Sequence, residues 1–339
     1  MPNCSDDSGS LGDLWEGGVK RRPPMRTAAR LGETGRVTSP IPAELSFAEL
    51  SPADLPDLQR LARACLERDG GLPMFAGEAM LGSRMLRDRA VGLRLPGGSD
   101  GPDGPGGMLV AAAGISVGGD EAVTTGMVHP TMRRQGIGDR LLRWAIAEAG
   151  SAALRVETES CSRDADTLYA RHGLVRTFAE TVMRHDLQTV PAVPLPDGVQ
   201  VAPVSGVAEL DLFDAYRRSF EDRPGFVEPD AEEWLAELRD DDEWRRDLSL
   251  LIRNEQRVPI AFVNVLGTWL DQVGVVPAWR GRGLGAFLVA ESLRSLQAEG
   301  AGEMWLCVNV NNPAEDLYRR LGFASYGTRA RYLSRLLAQ

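Results

Sequence analysis

The stretch VVPAWRGRGLGAFLV at residues 275–289 decides the fold, because it recurs as VHPTMRRQGIGDRLL at residues 128–142. Val128, Pro130, Arg133, Gly136, Gly138 and Leu141 reappear as Val275, Pro277, Arg280, Gly283, Gly285 and Leu288, each 147 positions further on. Downstream, Ala165, Leu168, Tyr169, Arg171 and Gly173 reappear as Ala314, Leu317, Tyr318, Arg320 and Gly322, now 149 positions further on, so two residues were inserted between the blocks. Solenoid repeats run about 20 to 50 residues, so a period three times longer predicts two whole domains. The chain length of 339 residues agrees, being long for one core and comfortable for two.

Working outward, each copy shows the same order of signals. An amphipathic helix comes first (SPADLPDLQRLARACLERDG at 51–70, SGVAELDLFDAYRRSFED at 205–222). Strands follow (MLVAAAGISV at 108–117, PIAFVNVL at 259–266), then a strand running into the Gly-rich turn, a helix, another strand and a short helix ending in Gly. Residues 1–42 are rich in Gly, Ser, Pro and charge without apolar periodicity, which predicts a disordered or loosely attached tail. The proline-rich VPAVPLPDG at 190–198 reads as a linker, giving a first domain over 43–189 and a second over 199–339. Within the first, LPGGSDGPDGPGG at 95–107 reads as a flexible loop between two strands.

Composition narrows the function. The hydrophobic fraction of 43% and charged fraction of 25% are those of a globular protein, and no stretch approaches the roughly 20 apolar residues of a membrane span. The N-terminus lacks the apolar segment and small-residue cleavage site of a secretory signal, so a cytoplasmic location is expected. Cys4, Cys65, Cys161 and Cys307 are far apart, and the chain has only His129, His172 and His185, so neither a disulfide framework nor a metal site is expected. A formal net charge of -10 argues against nucleic acid and for a small-molecule partner. Lys20 is the only lysine, a bias typical of GC-rich genomes and without mechanistic content.

The repeated turn has its own chemistry. Glycine there lets the backbone approach a ligand closely, and the unpaired amides that open the next helix carry roughly half a positive charge, which suits a pyrophosphate. One Arg-x-x-Gly-x-Gly would arise by chance about 0.4 times in a chain of this composition. Two, each behind a strand with Val and Pro just upstream, carry far more weight. Neither has the Gly-x-Gly-x-x-Gly spacing of a dinucleotide fold.

A strand entering Arg-x-x-Gly-x-Gly, followed by Asn311-x-x-Ala314-x-x-Leu317-Tyr318-x-x-x-Gly322-Phe323, resembles the GNAT acetyltransferase superfamily, once per copy over nearly all of residues 45–337. The resemblance implies an α/β (α+β) protein of two tandem GNAT domains, each a mixed, mostly antiparallel sheet flanked by helices. It implies acetyl-CoA as co-substrate and no metal. By the same resemblance, the pyrophosphate of coenzyme A would lie on Arg280, Gly281, Arg282, Gly283, Leu284 and Gly285. In the first copy the corresponding residues are Arg133, Arg134, Gln135, Gly136, Ile137 and Gly138. Val275 and Val276, with Val128 in the first copy, would meet the pantetheine arm through the backbone, and Asn311 would add a further cofactor contact.

Acetyl transfer to an amine needs a neutral nucleophile, a polarised thioester carbonyl and a proton for the departing thiolate. The resemblance puts Tyr318 in the proton-donating role, with Tyr169 as its counterpart. Alternate residues of a strand share a face, so Trp269, Asp271 and Val273 are expected to point together, and Asp271 is the candidate base. The first copy has Thr124 there, which cannot deprotonate an ammonium. It also has Ser162 where the second has Asn311, and Leu174 where the second has Phe323. The second copy is therefore the expected catalyst, while the first either still binds acetyl-CoA or only supports the second. The tandem arrangement is similar to that of the mycothiol synthases, whose C-terminal copy acetylates a cysteinyl amino sugar. Those proteins carry acidic residues before the Asn-x-x-Ala motif, where this chain has Val308, Asn309 and Val310. The expected acceptor is accordingly a small-molecule amine left unnamed, with a peptide or protein acceptor, or an inactive acyl-CoA sensor, as alternatives. A monomer is expected over a homodimer, because two copies can supply internally the contact that single-copy relatives make by dimerising.

Overall fold

The structure is a computed structural model of the chain and describes residues 46–95, 107–223 and 225–334. The expected tail at 1–42 and most of the expected 95–107 loop lie outside the described residues. In chain order the first copy contains β1 (Ala48–Glu49), α1 (Leu55–Asp69), α2 (Glu78–Met85), β2 (Arg89–Leu95), β3 (Met108–Gly118), β4 (Glu121–Val128), α3 (Ile137–Ala149), β5 (Ala153–Thr158), α4 (Arg163–Arg171) and β6 (Leu174–His185). The second contains β7 (Val199–Pro203), α5 (Glu209–Phe220), α6 (Ala231–Asp240), β8 (Leu250–Asn254), β9 (Pro259–Leu266), β10 (Trp269–Val275), α7 (Leu284–Ala298), β11 (Met304–Asn309), α8 (Ala314–Arg320) and β12 (Ala324–Ser334). Both are mixed α/β domains with a mostly antiparallel sheet, as the resemblance implied.

The chain divides into two compact units whose described parts are 46–181 with 327–334, and 182–326. In the first unit, β1 to β4 form an antiparallel run and β5 joins β4 in parallel. The end of β12 completes it by pairing antiparallel with β5, Ala330 opposite Thr158 and Leu333 opposite Arg155. Strand β3 is buried along most of its length, with Val110, Ala111, Ala112 and Ala113 almost fully covered. Small residues on a two-sided strand let helices close on both faces. Ile137, Leu141, Leu142, Ala145 and Ala149 recur on one side of α3, and Leu58, Leu61, Ala62, Cys65 and Leu66 on one side of α1. Each such leucine stabilises the fold by about 2 kcal/mol through burial.

In the second unit, β7, β8, β9 and β10 are successively antiparallel, β11 lies parallel to β10, and β6, whose residues 182–185 belong to this unit, is the neighbour of β11 in the strand order. Strand β9, PIAFVNVL, is buried at every position. Its Phe262 packs with Leu212, Phe213, Trp234 and Leu235 of α5 and α6, while Ile260, Val263 and Val265 pack with Phe287, Leu288 and Leu293 of α7. The unit is thus three layers, with the sheet between α5/α6 and α7.

Candidate active site

The parallel pair in each unit opens where the two strands part. In the first unit four consecutive pairs hold β4 to β5, from Glu121–Ala153 to Thr124–Val156. In the second only Trp269 opposite Trp305 is paired before β10 and β11 separate. The amide of Val276 donates to the Ile260 carbonyl at 2.9 Å. Because backbone groups alternate in direction along an antiparallel strand, Val275 and Val273 turn their N–H groups away from β9 and into this opening. Val276 itself is buried in the ladder.

At the end of β10 a 3₁₀ turn leads into α7. Gly283 is the residue before the helix, at φ +88°, and Gly136 holds the same place before α3 at φ +80°. Neither helix has a side-chain cap at this end, so the first amides of each are unpaired. A side chain on Gly283 would point into open space, its nearest neighbour being Pro196 Cγ at 4.0 Å. Arg134 takes φ +65°, close to the +74° of Gly281 at the equivalent position, so both turns have one shape. Orphan amides facing open space suit a pyrophosphate, and the residues present therefore fit coenzyme A.

The motif arginines are already engaged. Arg280 donates to both carboxylate oxygens of Asp222 at 2.6 and 2.8 Å, to the Val275 carbonyl at 3.0 Å and to the Ser219 carbonyl at 2.8 Å. Arg133 repeats this on Asp69 at 3.0 and 2.6 Å and on the Val128 carbonyl at 3.1 Å. Each therefore ties its turn to the helix that opens its domain. This pairing was readable in principle, since each first helix ends on an acid, in ERDG and in SFED, but carboxylates at helix ends are too common to single out. Arg282 is exposed and lies over the Trp279 ring at 4.5 Å. Leu284 and Ile137 are core residues, and Gly285 approaches Val275 and Leu317 at ordinary contact distance, so of these only the backbone is available to a ligand. At Gly138 a Cβ would meet Leu168 at a tighter 3.2 Å, and Gln135 is half-buried.

Asp271 sits on a β-bulge. Leu270 pairs with Val265 and Gln272 with Asn264, which leaves Asp271 as the extra residue. A bulge reverses the facing of everything beyond it. Trp269 and Val273 therefore lie on opposite faces, and the expected alignment of Trp269, Asp271 and Val273 is not found. Asp271 shares a shallow recess with Gln272, Trp234, Glu237 and Leu238, on the α6 side of the sheet. At the matching place β4 is regular, and Thr124 is buried with its hydroxyl donating to the Gly114 carbonyl at 2.7 Å.

Tyr318 is 6% exposed on α8, its ring edge-on to Phe323 at 5.9 Å. Burial pushes its hydroxyl up to about 12, opposed by the charge of Arg223. Tyr318 is thus protonated at neutral pH and able to donate. Tyr169 is also raised by burial, and packs on Tyr332 with ring centroids 4.7 Å apart. Asn311 is exposed, its own amide donating to Asn309 Oδ1 at 3.0 Å. The cap of α8 comes from Asn312, whose Oδ1 accepts from Ala314 at 2.9 Å, whereas Ser162 caps α4 through Ala165 at 3.2 Å. At the corresponding end of the first unit, residues 70–72 are bonded to the residues that follow β5. Leu72 donates to the Glu159 carbonyl at 2.7 Å and Ser160 to the Gly70 carbonyl at 2.6 Å. Between them Gly71 lies so close to the end of β5 that a Cβ would sit 2.2 Å from the Glu159 oxygen.

Among the described residues no cluster of His, Cys, Asp or Glu could hold a metal ion, and no helix is long and apolar enough to cross a membrane. The model of the acetyltransferase (GNAT) family matches residues 210–323, and that of the acetyltransferase (GNAT) domain matches residues 103–175. A mycothiol acetyltransferase of Mycobacteroides abscessus is 31% identical over 278 residues, covering 76% of this chain and 90% of the relative. One of Gordonia bronchialis is 32% identical over 250 residues, covering 66% and 79%. A GCN5-related N-acetyltransferase from Sphaerobacter thermophilus shares the fold at a TM-score of 0.66, with 24% identity and coverage of 87% and 96%. With the opened strand pair and glycine turn present twice, these likenesses establish that the chain belongs to the GNAT family of N-acetyltransferases, as a member with two tandem domains.

Proposed function

We propose that the second copy catalyses direct transfer of an acetyl group from acetyl-CoA to the amine of a small molecule, and that the first copy supports it without catalysis. The observation that carries this reading is the contrast between the two openings. In the second, β10 and β11 part after one pair, a bulge presents a carboxylate, and a protonated tyrosine stands on the following helix. In the first, residues 70–72 are bonded to the end of β5 and a hydrogen-bonded threonine replaces the carboxylate.

In this reading acetyl-CoA supplies an activated thioester, and the chain's residues do the rest. The amides of residues 281–285 and the side chain of Arg282 hold the pyrophosphate, while Arg280 holds the turn on α5. Val275, with Asn311 near the end of β11, positions the pantetheine arm. Asp271 takes the proton of the acceptor ammonium, and Tyr318 donates a hydrogen bond to the sulfur as it leaves. The unpaired strand edges polarise the carbonyl.

The direct test is release of free thiol from acetyl-CoA in the presence of amino acids, amino sugars, aminoglycosides and short peptides, assayed separately. Turnover with a small amine is expected; turnover with peptides alone contradicts the acceptor class, and none with any amine contradicts an active enzyme. Asp271→Asn should lower turnover with the accepted amine at neutral pH by about 10²-fold. The loss should shrink as pH rises through the amine's own pKa, because the neutral nucleophile then forms without a base. A loss that stays constant with pH would make Asp271 a binding or structural group.

A further inference from the structure

Arg223 follows the staple acid Asp222, as Gly70 follows Asp69 in the first copy. There the next residues bond to the end of β5. In the second copy that place at the mouth of the opening carries a cation. The Arg223 guanidinium lies over the Phe220 ring, 3.8 Å from its centroid, and makes no salt bridge or hydrogen bond to a described residue. Both oxygens of the adjacent carboxylate, Asp222, accept from Arg280, and Asp222 acts on Arg223 only through its charge. Arg223 is exposed to solvent; the packing around it, then the charge of Arg280, lower its pKa, and Tyr318, Tyr216 and Asp222 act in the opposite direction.

Its surroundings are those of the acceptor. Arg223 is the electrostatic neighbour of both Tyr318 and Tyr216. Tyr216, stacked on Trp234 at 4.6 Å, is acted on by the charges of Arg223, Asp271 and Glu237. From the cation over Phe220, ring contacts run through Tyr216, 5.2 Å from Phe220, to Trp234, which lines the recess with the carboxylates of Asp271, Glu237 and Asp241. A neutral amine or a plain polyamine would leave the cationic end unmatched.

We propose that Arg223 is a specificity-determining residue that binds a carboxylate carried by the acceptor, so that the acceptor is a zwitterion of the amino-acid class. This rests on the reading of the second copy as the acetylating one. In it the ammonium lies toward Asp271 and Glu237, and the carboxylate accepts from the guanidinium, which brings the amine to the thioester in a fixed orientation. A charge-assisted pair of this kind gives roughly 10- to 100-fold in kcat/KM.

The test is thiol release from acetyl-CoA by the full-length protein, with the common L-amino acids and with the same amino acids as α-carboxamides. At least one free acid should be acetylated with kcat/KM 10-fold or more above that of its amide. Arg223→Gln should abolish the preference by raising KM for the acid about 10- to 100-fold, with the amide unaffected, and Arg223→Lys should restore part of it. Calorimetric affinity for acetyl-CoA should be unchanged in both variants, and unaltered melting temperatures would show that the fold is intact. Three results would each overturn the proposal: amides accepted as well as acids, an equal effect of Arg223→Gln on both, or a loss of acetyl-CoA affinity, which would give Arg223 to the co-substrate's phosphates. Acetylation of amino sugars but of no amino acid would also overturn it while leaving the acetyltransferase reading in place. The absence of turnover with every amine would remove that reading itself.

Discussion

Gly283→Val is expected to weaken acetyl-CoA binding by about 10²-fold or more, measured calorimetrically on the folded variant. The loss of two or more hydrogen bonds to a charged phosphate, at about 1.5–3 kcal/mol each, accounts for the size. The wild-type residue stands at φ +88° immediately before α7, with a side chain there directed into the space above the turn amides. Valine would both fill that space and resist the left-handed backbone, so it should also lower stability by about 1–2 kcal/mol. Gly136→Val supplies the matched control. It imposes the same backbone strain at φ +80°, again with nothing within 4 Å of the new Cβ. If the second turn is the productive site, both variants lose similar stability and only Gly283→Val loses activity. Ligand stabilisation follows mass action, so acetyl-CoA should raise the melting temperature of Gly136→Val and fail to raise that of Gly283→Val. A calorimetric stoichiometry of two in the unaltered protein, falling to one in Gly136→Val, would show that the first turn also binds.

Much of this arrangement can be read from the sequence because it rests on local chemistry repeated at a fixed offset. Glycines at 136 and 283 mark left-handed residues before helices, and the alternation and apolar runs of residues 108–117 and 259–266 mark buried strands. What escapes is what depends on pairing. The bulge at Asp271 inserts one residue into a ladder whose register is set by β9, and nothing in WLDQVGVV announces it. Strict alternation therefore aligns Trp269 with Val273, when they face opposite ways. The completion of the first unit by residues 327–334 is likewise a long-range pairing, invisible to any local pattern. Arg280 illustrates a third limit. A conspicuous arginine beside a phosphate turn reads as a phosphate ligand, yet the folded chain engages it with Asp222 and two carbonyls. Arg223, with no motif around it, lies over the Phe220 ring, a placement no local pattern announces.

The second large effect concerns the proton donor. Tyr318→Phe keeps the ring, its edge contact with Phe323 and its burial, and removes only the hydroxyl. A phenol pushed up to about 12 is a weaker acid than an ordinary thiol near 8.5, so the hydroxyl acts by hydrogen-bonding the developing thiolate more than by full proton transfer. General-acid effects span about 10²- to 10⁴-fold, and this mismatch puts the expected loss in turnover near 10². Tyr169 is buried against Tyr332, and residues 70–72 are bonded to the end of β5, so its hydroxyl is not expected to meet a thiolate.

Thiol release from acetyl-CoA by Tyr318→Phe and by Tyr169→Phe, measured side by side with the same amine, tests most directly the claim that the second copy performs the transfer. The expected result is a fall of about 10²-fold in turnover for Tyr318→Phe, with acetyl-CoA affinity unchanged, and turnover close to that of the unaltered protein for Tyr169→Phe. Loss of activity in Tyr169→Phe with full activity in Tyr318→Phe would contradict the account and assign the chemistry to the first copy.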